Sequence, residues 1–239
     1  RLLGSLGGYM CLQSDDTLAL SLYIGADIDF ALKNGAAGTL SLAGDMPWNG
    51  KMRLSLDLKS KAAAPWTLRL RVPQWSRAFK IKLNGKALEF SKTNGHADIT
   101  RAWENGDTLE IDLEQPVLQL ASDARVFSNA GQVALQRGPF VYCVEQADFK
   151  EPNAVYRLVL DDALARELTA AYQPDLLDGV VVLEGRGYLQ PASSISEDLY
   201  FPVDEKSRQL QPVDLRAIPY YAWENRAPGA MRVWIARPY

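Results

Sequence analysis

Strict alternation of apolar and polar residues recurs along the first half of this chain, and it leaves little choice of fold. Met52, Leu54, Leu56 and Leu58 interleave with Arg53, Ser55, Asp57 and Lys59. Trp66, Leu68, Leu70 and Val72 do the same with Thr67, Arg69 and Arg71, and Leu109, Ile111 and Leu113 with Glu110, Asp112 and Glu114. A period of two places one set of side chains on a core and the other in water. Between these runs lie Asn34-Gly35, Asn84-Gly85, Asn94-Gly95 and Asn105-Gly106. Asn-Gly supplies the positive φ angles of a type I′ turn, so Lys80–Leu83 is expected to return through Leu88 and Phe90 as a hairpin. Leu18, Leu20 and Leu22 begin the series and Leu40 and Leu42 continue it, while Pro73 stops a strand by removing a ladder donor. Short alternating strands at this rhythm predict an antiparallel β-sandwich.

Gln115-Pro116 ends the series and marks a domain boundary, because proline restricts the residue before it. The expected organisation is a first sandwich over 13–116 and a second over 117–239. The second half reads differently. In Gly131–Glu145, Val133–Leu135 and Phe140–Val144 flank an Arg137-Gly138-Pro139 break, and Phe140–Val144 is continuously apolar. Such a run suits a strand covered on both faces, a seam between packed layers or between domains. Val180–Leu183 is a second run of this kind after the turn Leu176–Gly179, and Tyr156–Leu160 is read as a further strand. Asp161–Ala171 is open between a short helical turn and a polar loop, with Leu168, Ala170 and Tyr172 also fitting a strand. Ser193–Ser207 is read as a polar surface excursion. Leu215–Trp223 and Met231–Ile235 close the chain around a turn at Asn225–Gly229.

The opening differs again. Leu2, Leu3, Leu6, Tyr9 and Met10 recur at helical spacing despite Gly4, Gly7 and Gly8, with no N-cap residue and no initiating methionine. Residues 1–12 are therefore expected to be the end of a helix that begins upstream, and the chain to be a C-terminal piece of a longer protein.

The chain's 239 residues carry a net charge of −3, with Lys and Arg scattered along the strands rather than gathered on one face. Nucleic acid and anionic membrane both demand a concentrated basic surface, so neither is expected as a partner. No run approaches the ~20 apolar residues that span a bilayer. A soluble protein is expected, with its compartment, cytoplasm or periplasm, left open.

Chemistry is sparse at the level of sequence. His96 is the only histidine and sits beside a turn, where solvated polar residues collect. Cys11 and Cys143 each lie among apolar neighbours and read as core residues. With one histidine and two distant cysteines, no zinc site is expected within the chain. The acidic pairs Asp15-Asp16, Asp27/Asp29, Asp161-Asp162 and Glu197-Asp198 read as solvated turn residues rather than the paired carboxylates of a glycosidase. Trp66 is in phase with the core, whereas Trp48, Trp75 and Trp223 stand in turn-like contexts. Those three are the residues left free for carbohydrate contact.

Four strings carry a resemblance. Arg71-Val-Pro-Gln-Trp75, Trp103-Glu-Asn-Gly-Asp107, Val133–Tyr142 (VALQRGPFVY) and Ile218–Arg226 (IPYYAWENR) are similar, in this order, to the C-terminal half of glycoside hydrolase family 127, the β-L-arabinofuranosidase family. The resemblance implies an (α/α)6 catalytic barrel followed by two β-sandwiches, with 1–12 the barrel's last helix. It also implies a retaining reaction in which a zinc-bound cysteine thiolate attacks the anomeric carbon and a glutamate serves as acid/base. The family's Cys-Cys-Pro-Pro-Asn motif does not occur in this sequence, and neither Cys11 nor Cys143 matches it. No catalytic, cofactor-binding or metal-binding residue is therefore expected here, and zinc belongs to the parent's catalytic domain. Three roles are weighed for such a region: a platform for its own upstream barrel, a carbohydrate-binding module, or an assembly element making a homodimer.

Overall fold

The computed structural model describes residues 2–60, 65–191, 200 and 209–238. The chain divides into two compact units, Arg1–Pro116 and Val117–Tyr239. No helix among the described residues is long and apolar enough to cross a membrane.

The first unit opens with two single helical turns, α1 (Leu2–Ser5) and α2 (Gly7–Met10), before β1 (Cys11–Gln13) begins. The helix expected over 1–12 is thus broken and ends at Met10, which is buried while Leu3 and Tyr9 are exposed. Gly4, Gly7 and Gly8 remove the propensity that would hold a continuous helix together. The strands that follow are β2 (Thr17–Leu20), β3 (Ala26–Ala31), β4 (Ala37–Gly44), β5 (Lys51–Ser60), β6 (Trp66–Arg71), β7 (Phe79–Leu83), β8 (Lys86–Ala87), β9 (Ser91–Thr93), β10 (His96–Arg101) and β11 (Thr108–Leu113).

Among the described residues they form two sheets, ordered β1-β2-β6-β10-β9 and β3-β4-β5-β11-β7-β8. All pairings are antiparallel except β2 with β6, which runs parallel in register Leu18↔Leu68. Leu18, Leu20, Leu68 and Leu70 from one sheet and Leu40, Leu54, Leu109 and Ile111 from the other share one core. The polar faces are held by cross-strand charges: Glu110 lies between Arg53 and Lys82, and Asp112 between Lys51 and Lys80. Opposite charges directly across strands support the pairing. Strand β3 is the element that patterning did not reveal. Asp27 and Asp29 disguise its outer face, whereas Phe30 is buried and Ile28 packs against the core.

Asn84-Gly85 and Asn94-Gly95 adopt positive φ at both positions (49° and 79°, 49° and 78°), the geometry of a type I′ turn. Around the first of these sits a buried lock. The Asp107 carboxylate, 4 % exposed, accepts from the Asn84 amide at 2.7 Å and from the Glu104 backbone N–H at 2.9 Å. The Asn84 carbonyl in turn accepts from the Thr108 N–H at 2.9 Å. Trp103 donates its indole N–H to the Trp66 carbonyl at 3.1 Å, with the two rings 5.5 Å apart. Trp103-Glu-Asn-Gly-Asp107 is thus a turn clamped by its first and last side chains.

The second unit contains β12 (Val117–Leu120), β13 (Gln132–Arg137), β14 (Phe140–Glu145), α3 (Ala154–Arg157), β15 (Leu158–Val159), α4 (Asp162–Glu167), β16 (Thr169–Gln173), β17 (Val180–Leu189), β18 (Gln211–Pro219), β19 (Met231–Arg232) and β20 (Ile235–Ala236). Its ladder closes on itself: β13 pairs with β20, β20 with β15, β15 with β17, β17 with β18, β18 with β14, and β14 again with β13. Strand β14 is buried on both faces from Tyr142 to Glu145, as its composition predicts, whereas Val141 nearer its start is exposed. Tyr142 and Val144 join one core cluster with Leu135, Leu158, Leu183 and Leu215. Cys143 joins another with Val180, Val182 and Ile218.

The strand expected over Tyr156–Leu160 is shorter, only Leu158–Val159. Asn153 in the left-handed region (φ 56°) starts a helical turn that takes Tyr156 and Arg157 out of the ladder. Of the two readings of Asp161–Ala171 the helical turn is the one realised, and the strand that Ala170 and Tyr172 also fit comes directly after it. The Asp161 carboxylate caps α4 by accepting from the Leu164 N–H at 2.7 Å, and β16 then pairs with β17. Gly185 in β17 faces Leu168; a Cβ there would stand 2.6 Å from Leu168 Cδ2. The stretch Ser193–Ser207 lies outside the described residues apart from Tyr200.

Replacing Asp107 by alanine leaves the Asn84 amide and the Glu104 N–H without their buried acceptor. The expected loss is about 2–3 kcal/mol. It is read as a lower midpoint in urea unfolding, with Asp57→Ala, on the exposed face of β5 opposite Thr39, as a control that shifts little.

Candidate functional site

Two of the four strings meet in space. Strand β14 pairs with β18 through Tyr142↔Pro219 and Cys143↔Ile218, so VALQRGPFVY and IPYYAWENR lie side by side. Where both end, charged groups gather. Glu145, the last residue of β14, is 3 % exposed. Its Oε1 accepts from the Glu224 N–H at 2.9 Å, and its Oε2 accepts from Arg226 Nε at 2.8 Å and from Arg226 Nη2. The same guanidinium donates to both oxygens of Asp148, at 2.8 and 2.7 Å. Arg226 is therefore a fork held between two carboxylates. Its hydrogen bonds to Asp148 and Glu145 raise its pKa further above the ordinary arginine value, against the opposing effect of burial. Arg216 extends the network, donating from Nε to Glu184 at 3.2 Å and standing 3.9 Å from Asp148. An open cleft of about 400 Å³ beside it is lined by Asp148, Glu184, Gly185, Asp214, Leu215 and Arg216.

The clamp fixes the turn that follows β18. Tyr220–Ala222 form one 3-10 turn. The Asn225 amide donates to the Ala222 and Trp223 carbonyls at 3.1 Å each, and Glu224 sits at φ 63°. The Tyr220 and Trp223 rings are parallel within 5° at 6.3 Å, while Tyr221 packs its ring 5.1 Å from Phe140.

The candidate residues from the sequence fall in separate places. Trp75 is half-buried against the first core and Trp223 against the smaller core of the second unit. Trp48 is half-buried in the turn after Asp45, where its N–H donates to the Asp45 carbonyl at 2.7 Å. Of the three, Trp223 has a parallel aromatic neighbour. His96 begins β10, with Nδ1 3.0 Å from the Asn94 carbonyl. Asp15 pairs with Lys33 at 2.6 Å, Asp29 with Thr39 and Lys59, and Asp162 with Arg237 at 3.4 Å. Asp161 is a helix cap, and Glu197-Asp198 lies outside the described residues. Glu145, Asp148 and Arg226 were not singled out from sequence. The available signal was a charged residue closing a continuously apolar strand, which needs a partner from elsewhere in the chain.

Neither thiol is in a setting that makes a nucleophile. Burial pushes Cys143 up to about 12 and Cys11 up to about 11. A zinc-bound thiolate needs further ligands converging on the sulfur. Cys143 instead packs with Val180, Val182 and Ile218. Among the described residues no group of three or more His, Cys, Asp or Glu is spaced to hold a metal ion. The cysteines of this chain do not fit a zinc site.

The fold and these surroundings define a tandem β-sandwich protein whose buried charges are paired within its own units. Residues 17–115 match the family model described as "Beta-L-arabinofuranosidase, GH127 middle domain", and residues 117–236 match "Glycoside hydrolase family 127 C-terminal domain". The chain belongs to glycoside hydrolase family 127. It is 34 % identical over 243 residues to a non-reducing end β-L-arabinofuranosidase of Bifidobacterium longum, an alignment covering 99 % of this chain and 36 % of that protein. The crystal structure of a β-L-arabinofuranosidase of the same family from Geobacillus stearothermophilus T6 superposes with a TM-score of 0.89 at 37 % identity, covering 99 % of this chain and 36 % of that one. A solved glycoside hydrolase matches with a TM-score of 0.81 at 29 % identity, over 93 % of this chain and 36 % of its own. The chain thus spans about a third of the length of these relatives.

Removing the arginine exposes what the clamp does. In Arg226→Met the Glu145 carboxylate stays buried without its partner, a change expected to cost about 3–5 kcal/mol. Adding Glu145→Gln to that variant recovers part of the loss, which paired urea titrations of the single and double variants measure.

The thiols offer a second check. Burial raises both thiols above the ordinary cysteine value. Cys143, 1 % exposed, is expected to react with Ellman's reagent far more slowly than free cysteine in the native protein, and fully in 6 M guanidinium. Rapid labelling of Cys143 in the native state contradicts its burial.

Proposed function

We propose that this chain is the non-catalytic β-sandwich region of a glycoside hydrolase acting on β-L-arabinofuranosides, serving as a platform for the catalytic domain of its own polypeptide. One observation carries the reading. The groups in this chain best suited to glycosidase or nucleophilic chemistry are tied into the fold, Glu145 and Asp148 by Arg226 and the two thiols by burial. Family membership and coverage of about a third of the relatives' length support the placement of catalysis elsewhere. On this reading the zinc, its cysteine thiolate and the acid/base glutamate belong to an upstream (α/α)6 domain. The segment before β1 is the end of that domain, and its exposed Leu3 and Tyr9, 86 % and 60 % accessible, are surface for it to cover, together with Leu12 of β1.

The test compares the 239-residue chain with its complete parent protein, both supplied with zinc, on an aryl β-L-arabinofuranoside. Release of aglycone by the parent and none by the chain is expected. Zinc-dependent turnover by the chain alone refutes the non-catalytic role, and a parent inactive on the arabinofuranoside refutes the substrate class.

A further inference from the structure

We propose that the turn from Pro219 to Arg226 is a carbohydrate-contact surface, with the exposed ring of Tyr220, stacked on the half-buried Trp223, receiving one sugar ring of a neutral glycan. This goes beyond the platform role and does not depend on it.

The first observation is the pair of rings. Tyr220 and Trp223 are parallel within 5° at 6.3 Å, and Tyr220 is 47 % exposed. Tyr221, 55 % exposed, continues the aromatic surface and is itself braced by Phe140. Flat rings with a polar edge suit a ligand that presents C–H groups on one face and hydroxyls around its rim. A peptide helix or strand would instead call for a groove with side-chain pockets. The exposed Glu224, next to Trp223 in sequence, supplies an acceptor for hydroxyls.

The second observation is the backbone that carries the rings. Glu224 occupies the left-handed region at φ 63°, a conformation that costs a non-glycine residue on the order of 1 kcal/mol. Strain of this kind persists only where the surroundings over-determine it, and it concentrates at ligand-contact segments. Here the surroundings do so three times over. Glu145 accepts from the Glu224 N–H, Arg226 is gripped by Glu145 and Asp148, and Asn225 holds the carbonyls of Ala222 and Trp223. Closing a surface turn between β18 and β19 does not require a buried ion cluster. Holding two aromatic rings in one orientation benefits from it, because a rigid platform loses little conformational entropy when a ligand arrives.

The experiment is affinity electrophoresis of the 239-residue chain in native gels containing soluble arabinan or arabinoxylan, with serum albumin as the non-binding standard. Retardation by at least one glycan is expected. Tyr220→Ala, at a largely exposed position, is expected to weaken it at least tenfold while moving the thermal midpoint by no more than about 2 °C. Arg226→Lys keeps the charge but not the fork, and is expected to weaken retardation with Tyr220 and Trp223 intact. No retardation of the unaltered chain by either glycan overturns the proposal, as does unchanged retardation of Tyr220→Ala; the surface is then a protein contact. Either failure leaves the hydrolysis comparison above untouched.

Discussion

The second unit depends on one guanidinium. Arg226 reaches Glu145, 81 residues away in the chain, and Asp148, 78 residues away, with four hydrogen bonds between them. Withdrawing a carboxylate from water costs several kcal/mol unless a well-placed countercharge and hydrogen bonds replace the lost hydration. Glu145 stands at the end of a strand packed on both faces, so solvent cannot supply that compensation. The arginine fork can, since its geometry matches a carboxylate edge and it stays charged at any physiological pH. Because both acids follow the doubly buried strand and the arginine follows β18, the cluster locks the ends of neighbouring strands into one arrangement.

The two units solve the same packing problem differently. In the first, the longer strands such as β4, β5, β6 and β11 each have one buried face, and the pairs Leu18/Leu20, Leu68/Leu70 and Leu54/Leu56 meet in a single core. Burial is then a matter of register, and among the described residues the buried polar side chains of this unit are Asp107 and Ser76, whose hydroxyl donates to the Ala78 carbonyl at 2.8 Å. In the second, the ladder closes into a circuit and β14, β17 and β18 divide their side chains between two clusters, Leu183 to one and Val182 to the other, Ala217 to one and Ile218 to the other. Charges sit where these strands end or leave the core: Glu145 closes β14, and Glu184 and Arg216 pair directly across the middle of β17 and β18, where both strands are only half-buried.

That difference explains which parts of the fold can be read from residues alone. A strand with one wet face advertises itself by alternation, so β5, β6 and β11 and the Asn84-Gly85 hairpin follow directly from sequence. Strand β3 does not, because Asp27 and Asp29 leave only Ile28 and Phe30 to mark it. Short elements carry too few residues to express a period, and Leu158–Val159 was accordingly overextended into the α3 turn. The run Phe140–Val144 reveals a doubly covered strand but not what covers it. The clamp was illegible for a different reason. Its three members are far apart in the chain, and only the pairing of β14 with β18 brings them together. The tryptophans were legible as residues outside the alternation, but the parallel placement of Trp223 on Tyr220 follows from the 3-10 turn after Pro219, which no periodicity signals.

Buried polarity in this chain therefore has two uses. Asp107 satisfies donors that a tight turn would otherwise leave unpaired, and its effect ends there. The Arg226 cluster does more than satisfy its own members, since through Glu145 it also holds the N–H of a residue in the left-handed region. An arrangement that engages four of the five N–H donors of a guanidinium and also fixes a strained neighbour is more restrictive than chain reversal requires. Thiols raised by burial and carboxylates engaged by arginine are poor starting points for covalent or acid–base chemistry. They are good starting points for rigidity. In the role proposed for it this chain presents surfaces, an apolar one before β1 and an aromatic one after β18.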